Sequence, residues 1–220
     1  MPAINASVEN RRIAETDVSV TLDPDKPLMI MTRMASRGMG LWDTIWDPLA
    51  ERYSLVSFDL RMPTSEELDN PADVFRSYAA QCAAISGELG YQGYHVFGWN
   101  GGSHVALQCA ADDPDNVRSC ILVGAFFRLP DMRRAEAGVE FMRVVFQNPD
   151  RKLYALYWLM AGLSQAFVEK NFDQIEDWAE ARVGGDRFVN QDNDRVTKWV
   201  RALRNHWVDE ERLESIKTPM

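Results

Sequence analysis

The sequence predicts an α/β fold: a mostly parallel sheet with helices on both faces, followed by an all-helical segment. Three observations carry this. A short continuous apolar run at 28–31 reads as a strand covered on both faces, and further strand-like runs recur at residues 53–58, 94–97 and 120–125. Segments with helical spacing lie between them. Beyond residue 128 no strand-like run appears until the end of the chain.

The elements follow in order. Residues 8–16 and 18–22 read as two antiparallel strands. Asp23-Pro24-Asp25-Lys26-Pro27 is a strong turn signal before the strand at 28–31. A loop covers 32–41. Residues 42–52 carry helical spacing, with Trp42, Ile45, Trp46 and Leu49 on one face. The strand at 53–58 closes on Asp59-Leu60-Arg61. Pro71 suits a helix start and Gly90 a helix stop, so 71–90 is read as a helix. A strand at 94–97, a helix at 102–111 and a strand at 120–125 complete this part. Helices are then expected near 132–147, 150–161, 165–183 and 192–207. This assigns 1–127 to a sheet-bearing core, 128–210 to a helical cap, and 211–220 to the start of a further core strand. With the chain stopping there, the fold is read as C-terminally truncated.

With 220 residues, 46% of them hydrophobic, the chain has enough apolar material for a sizeable core. A net charge of −9 argues against nucleic acid and anionic membrane as partners. The N-terminus lacks a basic start followed by an apolar run, and no stretch approaches the length of a transmembrane span. Cys82, Cys109 and Cys120 lie in apolar segments without metal-ligand spacing, which reads as buried free thiols. The expectation is a cytoplasmic protein without metal or cofactor. Its partner would be a small-molecule ligand or substrate, and the sequence leaves its oligomeric state open.

Gly98-Trp99-Asn100-Gly101-Gly102 is the most informative stretch. It has the form G-x-S-x-G of a nucleophile elbow, with asparagine in the nucleophile's place. An elbow needs a strand before it and a helix after it. Glycines on either side keep the turn from being crowded by a Cβ. Asparagine tolerates left-handed backbone better than most side chains.

Taken together, these segments resemble the α/β-hydrolase fold family, especially its cap-bearing esterase, lactonase and dehalogenase-like members. The likeness runs from about Val8 to Met220. It rests on the strand at 28–31, Trp42 after the following loop, Asp59-Leu60-Arg61, the elbow, the strand at 121–125, the cap and the closing 216–220. The resemblance implies a hydrolase for a small, fairly apolar substrate. It also implies that Asn100 stands at the nucleophile position, with the Gly101 and Met34 backbone N–H groups facing an oxyanion. The departures bear on activity. Thr32-Arg33-Met34 replaces the usual His-Gly pair, and Asp59-Leu60-Arg61-Met62-Pro63-Thr64-Ser65 lacks the glycines of D-x-R-G-x-G-x-S. The triad acid and histidine positions of the family fall beyond the chain.

Asn100 has no acidic proton and is a poor nucleophile. It is an inactivated site or a polar contact for a ligand. One reading is therefore a hydrolase-family protein without ordinary serine-hydrolase activity. Another is a non-catalytic binding or interaction protein. A third starts from the Asn100-Gly101 pair: attack of the glycine nitrogen on the side-chain amide leads to aspartate, the nucleophile of the dehalogenase and epoxide-hydrolase branches. Against it stands an expectation that a hydrogen-bonded elbow withholds the backbone freedom that ring closure needs. Arg33 and Trp99 are candidate ligand contacts. Ser103 is read as a surface or packing serine, His95 and His104 as structural, and His206 as a cap residue. Asp59 is read as capping a turn or pairing with Arg61. Trp158, Trp178, Trp199 and Trp207, with Met142 and Met160, are read as packing between cap helices or lining a pocket.

Overall fold

The computed structural model describes residues 6–33, 42, 44–61, 63–64, 66–124, 144, 150–161, 163–183, 198, 202 and 210–220. The chain divides into two compact units, Met1–Arg128 with Ala202–Met220, and Leu129–Arg201.

The first unit opens with a hairpin, β1 (Glu9–Ile13) and β2 (Thr16–Thr21), paired from Glu9↔Val20 to Ile13↔Thr16. Ala14 and Glu15 turn between them with φ of 46° and 60°. Two consecutive left-handed residues are what a tight hairpin turn demands. The strands expected at 8–16 and 18–22 therefore meet at a turn inside the first of them. Neither Ala nor Glu announces such a turn, which is why the sequence did not show it.

Next come β3 (Leu28–Arg33), α1 (Trp46–Ala50), β4 (Ser54–Asp59), α2 (Pro71–Glu88), β5 (Tyr94–Trp99), α3 (Gly101–Asp112) and β6 (Val117–Val123). They build a six-stranded sheet in the order β1-β2-β4-β3-β5-β6. The β1, β2 and β4 contacts are antiparallel, and β4, β3, β5 and β6 run parallel. The central strands are apolar on both faces because both are covered. Leu28, Met29, Ile30 and Met31 are all at most 1% exposed. Full burial of each stabilises by roughly 1.5–3 kcal/mol as an upper estimate.

Alternation along β3 sorts the two sides. Met29 and Met31 pack with Trp42, Trp46, Ala50 and Leu55 on the α1 face, where Phe97 and Trp99 join them. Thr32, of opposite parity to Met31, donates its hydroxyl to the Gly102 carbonyl of α3 at 3.1 Å. Helix α3 is buried from Gly101 to Ala110 and packs on α2, β3, β5 and β6. The helix expected over 42–52 is shorter as a regular α-helix. Its first turn is prepared by the Ile45 and Trp46 N–H groups, which both donate to the Trp42 carbonyl.

The second unit contains α4 (Arg151–Ala161), α5 (Gln165–Lys170) and α6 (Phe172–Val183). The single helix expected over 165–183 is broken at Asn171. The Asn171 backbone N–H and side-chain Nδ2 both donate to the Phe167 carbonyl, at 3.0 and 2.8 Å. Its own carbonyl accepts the Ile175 N–H, so the residue ends one helix and starts the next. At the N-terminus of α5, Ser164 accepts the Phe167 N–H, an ordinary serine cap. The helices expected at 132–147 and 192–207 lie outside the described residues, apart from the helical positions Val144, Lys198 and Ala202.

Back in the first unit, α7 (Glu210–Ser215) occupies part of the segment expected to begin a strand. Past it the Pro219 carbonyl accepts the Cys120 N–H at 2.8 Å, so the chain reaches the sheet edge beside β6. Among the described residues no helix is long and apolar enough to cross a membrane.

Candidate functional site

Asn100 lies between β5 and α3 with φ 53° and ψ −120°. A non-glycine residue there carries strain of roughly 1–3 kcal/mol and persists only where its surroundings impose it. The surroundings are explicit. The Val123 carbonyl of β6 accepts the Asn100 N–H at 2.8 Å, and the Asn100 carbonyl accepts the Ser103 N–H at 2.9 Å. The Ser103 hydroxyl is shared between the carbonyls of Gly98 and Val123, each 2.9 Å away. Strand and helix approach so closely that a Cβ on Gly98 would stand 2.4 Å from the Gly102 carbonyl oxygen.

The Asn100 side chain is exposed, but its Oδ1 turns back and accepts the Gly101 N–H at 2.7 Å. This N–H is one of the orphan donors of a helix start. The expected oxyanion donor is thus engaged by the residue that stands where an attacking group would be. The amide nitrogen has its lone pair delocalised, so the side chain offers hydrogen bonds and no attack on carbon.

Around the turn, Trp42 is buried, with its ring 5.3 Å from Phe97 and 6.2 Å from Trp99. Trp99 is half-buried at the end of β5. Arg33 ends β3 in register with Asp59 and Trp99; its side chain and Met34 lie outside the described residues. The structure therefore brings Trp99, Asn100, Gly101 and the backbone of Arg33 to one edge of the sheet.

Comparison with solved structures places this architecture. An α/β-hydrolase enzyme from a Medee basin deep-sea metagenome library is similar over 96% of this chain and 77% of its own, at 17% identity and TM-score 0.71. The chain has the α/β-hydrolase fold. A hydrolase from Pseudomonas aeruginosa matches over 98% of the chain and 79% of its own, at 14% identity and TM-score 0.67. A serine hydrolase from the polyaromatic-hydrocarbon-degrading Cycloclasticus zankles matches over 96% and 77%, at 17% identity and TM-score 0.65. No family model and no curated protein sequence matches the chain.

Other polar residues of this α/β-hydrolase-fold chain fall into place around the elbow. Ser103 is wholly buried and holds the turn, so the surface reading of it is corrected. His104 is buried with its ring 5.9 Å from Phe75 of α2. His95 sits at the opposite end of β5 from Asn100. Its Nδ1 is 2.7 Å from the Ser119 hydroxyl, and its ring is edge-on to Tyr53. Burial first, and then Arg118, hold His95 below the usual imidazole range. Arg61 is forked onto the Glu67 carboxylate.

In the second unit Trp178 stacks on Phe167 at 6.2 Å, and Met160 is exposed. The side chain of Trp158, together with Met142, Trp199, His206 and Trp207, lies outside the described residues. Sequence reading missed the supporting roles of Thr32, Ser103 and Val123. The only signal for Thr32 is its register opposite Gly98, which requires the sheet order to be known.

Proposed function

We propose that this protein holds a small, fairly apolar molecule at its elbow and does not carry out ordinary serine-hydrolase chemistry. One observation carries the reading: Asn100 keeps the strained elbow backbone, at φ 53° and ψ −120°, without an attacking group. A strained turn maintained by hydrogen bonds to the Val123 carbonyl of β6 and a close glycine contact speaks for use of that turn. In this reading the Asn100 amide contacts the ligand's polar end. The Gly101 N–H joins it once Oδ1 swings away. Arg33, Trp99 and the Met34 N–H complete the surroundings. The aromatic group of Trp42, Phe97 and Trp99 supports an apolar partner.

Calorimetric titration of the freshly purified amide form with butyrophenone, a small apolar carbonyl compound, tests the binding. Hydrolysis of p-nitrophenyl butyrate tests the chemistry. The expected result is saturable binding, lost in Asn100→Leu with the unfolding transition retained, and ester hydrolysis at the background rate. Unchanged affinity in Asn100→Leu, or hydrolysis above background, contradicts the proposal.

A further inference from the structure

We propose that Asn100 is a self-processing site: the folded elbow drives its side-chain amide through a cyclic imide to a carboxylate. The inference goes beyond ligand binding and reverses the expectation that a rigid elbow protects the Asn100-Gly101 pair.

Ring closure joins the Gly101 nitrogen to the Asn100 amide carbon Cγ. The five-membered ring then contains that nitrogen and the backbone C, Cα, Cβ and Cγ of Asn100. It closes only when the nitrogen is nearly coplanar with Cβ about the Cα–C bond. In an L-residue, Cβ stands about a third of a turn from the backbone nitrogen around that bond. A ψ of −120°, the value at Asn100, brings the Gly101 nitrogen onto Cβ. Helical and extended backbones hold the two well apart. The freedom that an elbow withholds is therefore freedom that this reaction does not need.

Three further features favour the step. Oδ1 lies 2.7 Å from the Gly101 nitrogen, so the Cγ bonded to it is folded over its attacker. The Gly101 N–H is bonded to Oδ1 and not to a helix carbonyl, so losing its proton breaks no backbone ladder. Asn100 is exposed, so water reaches its side-chain amide, to which the Gly101 N–H is bonded, and the imide formed there. The balance is complete with water alone. The Gly101 nitrogen gives its proton to solvent base and forms a bond to Cγ, and the side-chain nitrogen leaves as ammonia. Water then opens the imide. Cleavage at Cγ gives aspartate with the chain unchanged. Cleavage at the backbone carbon gives isoaspartate with an extra methylene in the chain. The bond from Asn100 to Val123 and the close contact of Gly98 with Gly102 hold the original chain path, and favour aspartate. The new carboxylate stands at the N-terminus of α3, where the helix dipole favours negative charge.

The test follows the peptide containing residue 100 by mass spectrometry during incubation at mildly alkaline pH, in native buffer and in urea. Circular dichroism checks the fold, and fragmentation separates aspartate from isoaspartate. The expected result is amide loss on the order of tenfold faster in the folded protein, from pre-alignment of the reacting atoms, with aspartate in excess. In Asn100→Gln the ring would need one more atom, so that side chain should keep its amide. Amide loss in the folded protein that is equal to or slower than in urea overturns the proposal. Equally fast loss from folded Asn100→Gln overturns the imide route.

Discussion

A Cβ at position 98 has no room: it would meet the Gly102 oxygen at 2.4 Å and the Ser103 Cα at 2.6 Å, both fixed parts of a buried helix start. Gly98→Ala should therefore destabilise by about 1–3 kcal/mol, read as a lower urea midpoint with an unchanged slope. Ser103→Ala removes the hydroxyl shared by two carbonyls, while Val123 keeps the Asn100 N–H. The expected cost is about 1 kcal/mol in the same measurement, and an unchanged midpoint would remove Ser103 from the support of the turn. The glycines and Asn100 were legible from spacing, because an elbow requires small residues around one strained position. Ser103 and Thr32 were not, since their partners come from other strands and helices.

At the scale of elements, the turn between β4 and α2 is a second built feature. Thr64 and Glu67 cap one another: the Thr64 N–H donates to the Glu67 carboxylate at 2.7 Å, and the Glu67 N–H donates to the Thr64 hydroxyl at 3.2 Å. Arg61 adds a forked ion pair, and its carbonyl accepts the Tyr78 hydroxyl of α2. Chiefly through Arg61 and then the Thr64 N–H, Glu67 is held at about 2, below its ordinary 4.5. A depressed carboxyl stabilises the fold above its unfolded value and loses that contribution as pH falls through the folded one. The turn should thus weaken between pH 4.5 and about 2. Both side chains are at least a third exposed, so the effect is screened to about 1 kcal/mol or less. Glu67→Gln should flatten acid unfolding over that window; an identical acid profile would count against the pairing. This turn stood in the sequence only as missing glycines, because a capping pair shows its partners but not the arginine that completes it. The break at Asn171 was hidden for a related reason: the helical spacing continues across it while the side chain bonds back to Phe167.

For the whole molecule, β3 was plain as a continuous apolar run, since covering on both faces leaves no alternation to blur; β6, expected as a buried strand at 120–125, starts at Val117 and leaves Ile121 and Val123 exposed. The first hairpin was the weaker reading, because its turn uses Ala14 and Glu15 in place of glycine or asparagine. Cys82, Cys109 and Cys120 all sit in the buried interior around α2, α3 and β6. Burial pushes Cys120 up to about 12, and the Cys82 thiol and burial push Cys109 up. All three should resist a disulfide reagent in the native state and react together as urea unfolds the sheet; early reaction of one alone would mark a locally open core. Asn100 holds an elbow that does not attack. The direct measurement is labelling of the freshly purified amide form with a fluorophosphonate, read by intact and peptide mass. No adduct is expected within residues 98–103. A covalent adduct on Asn100 or Ser103 would contradict it.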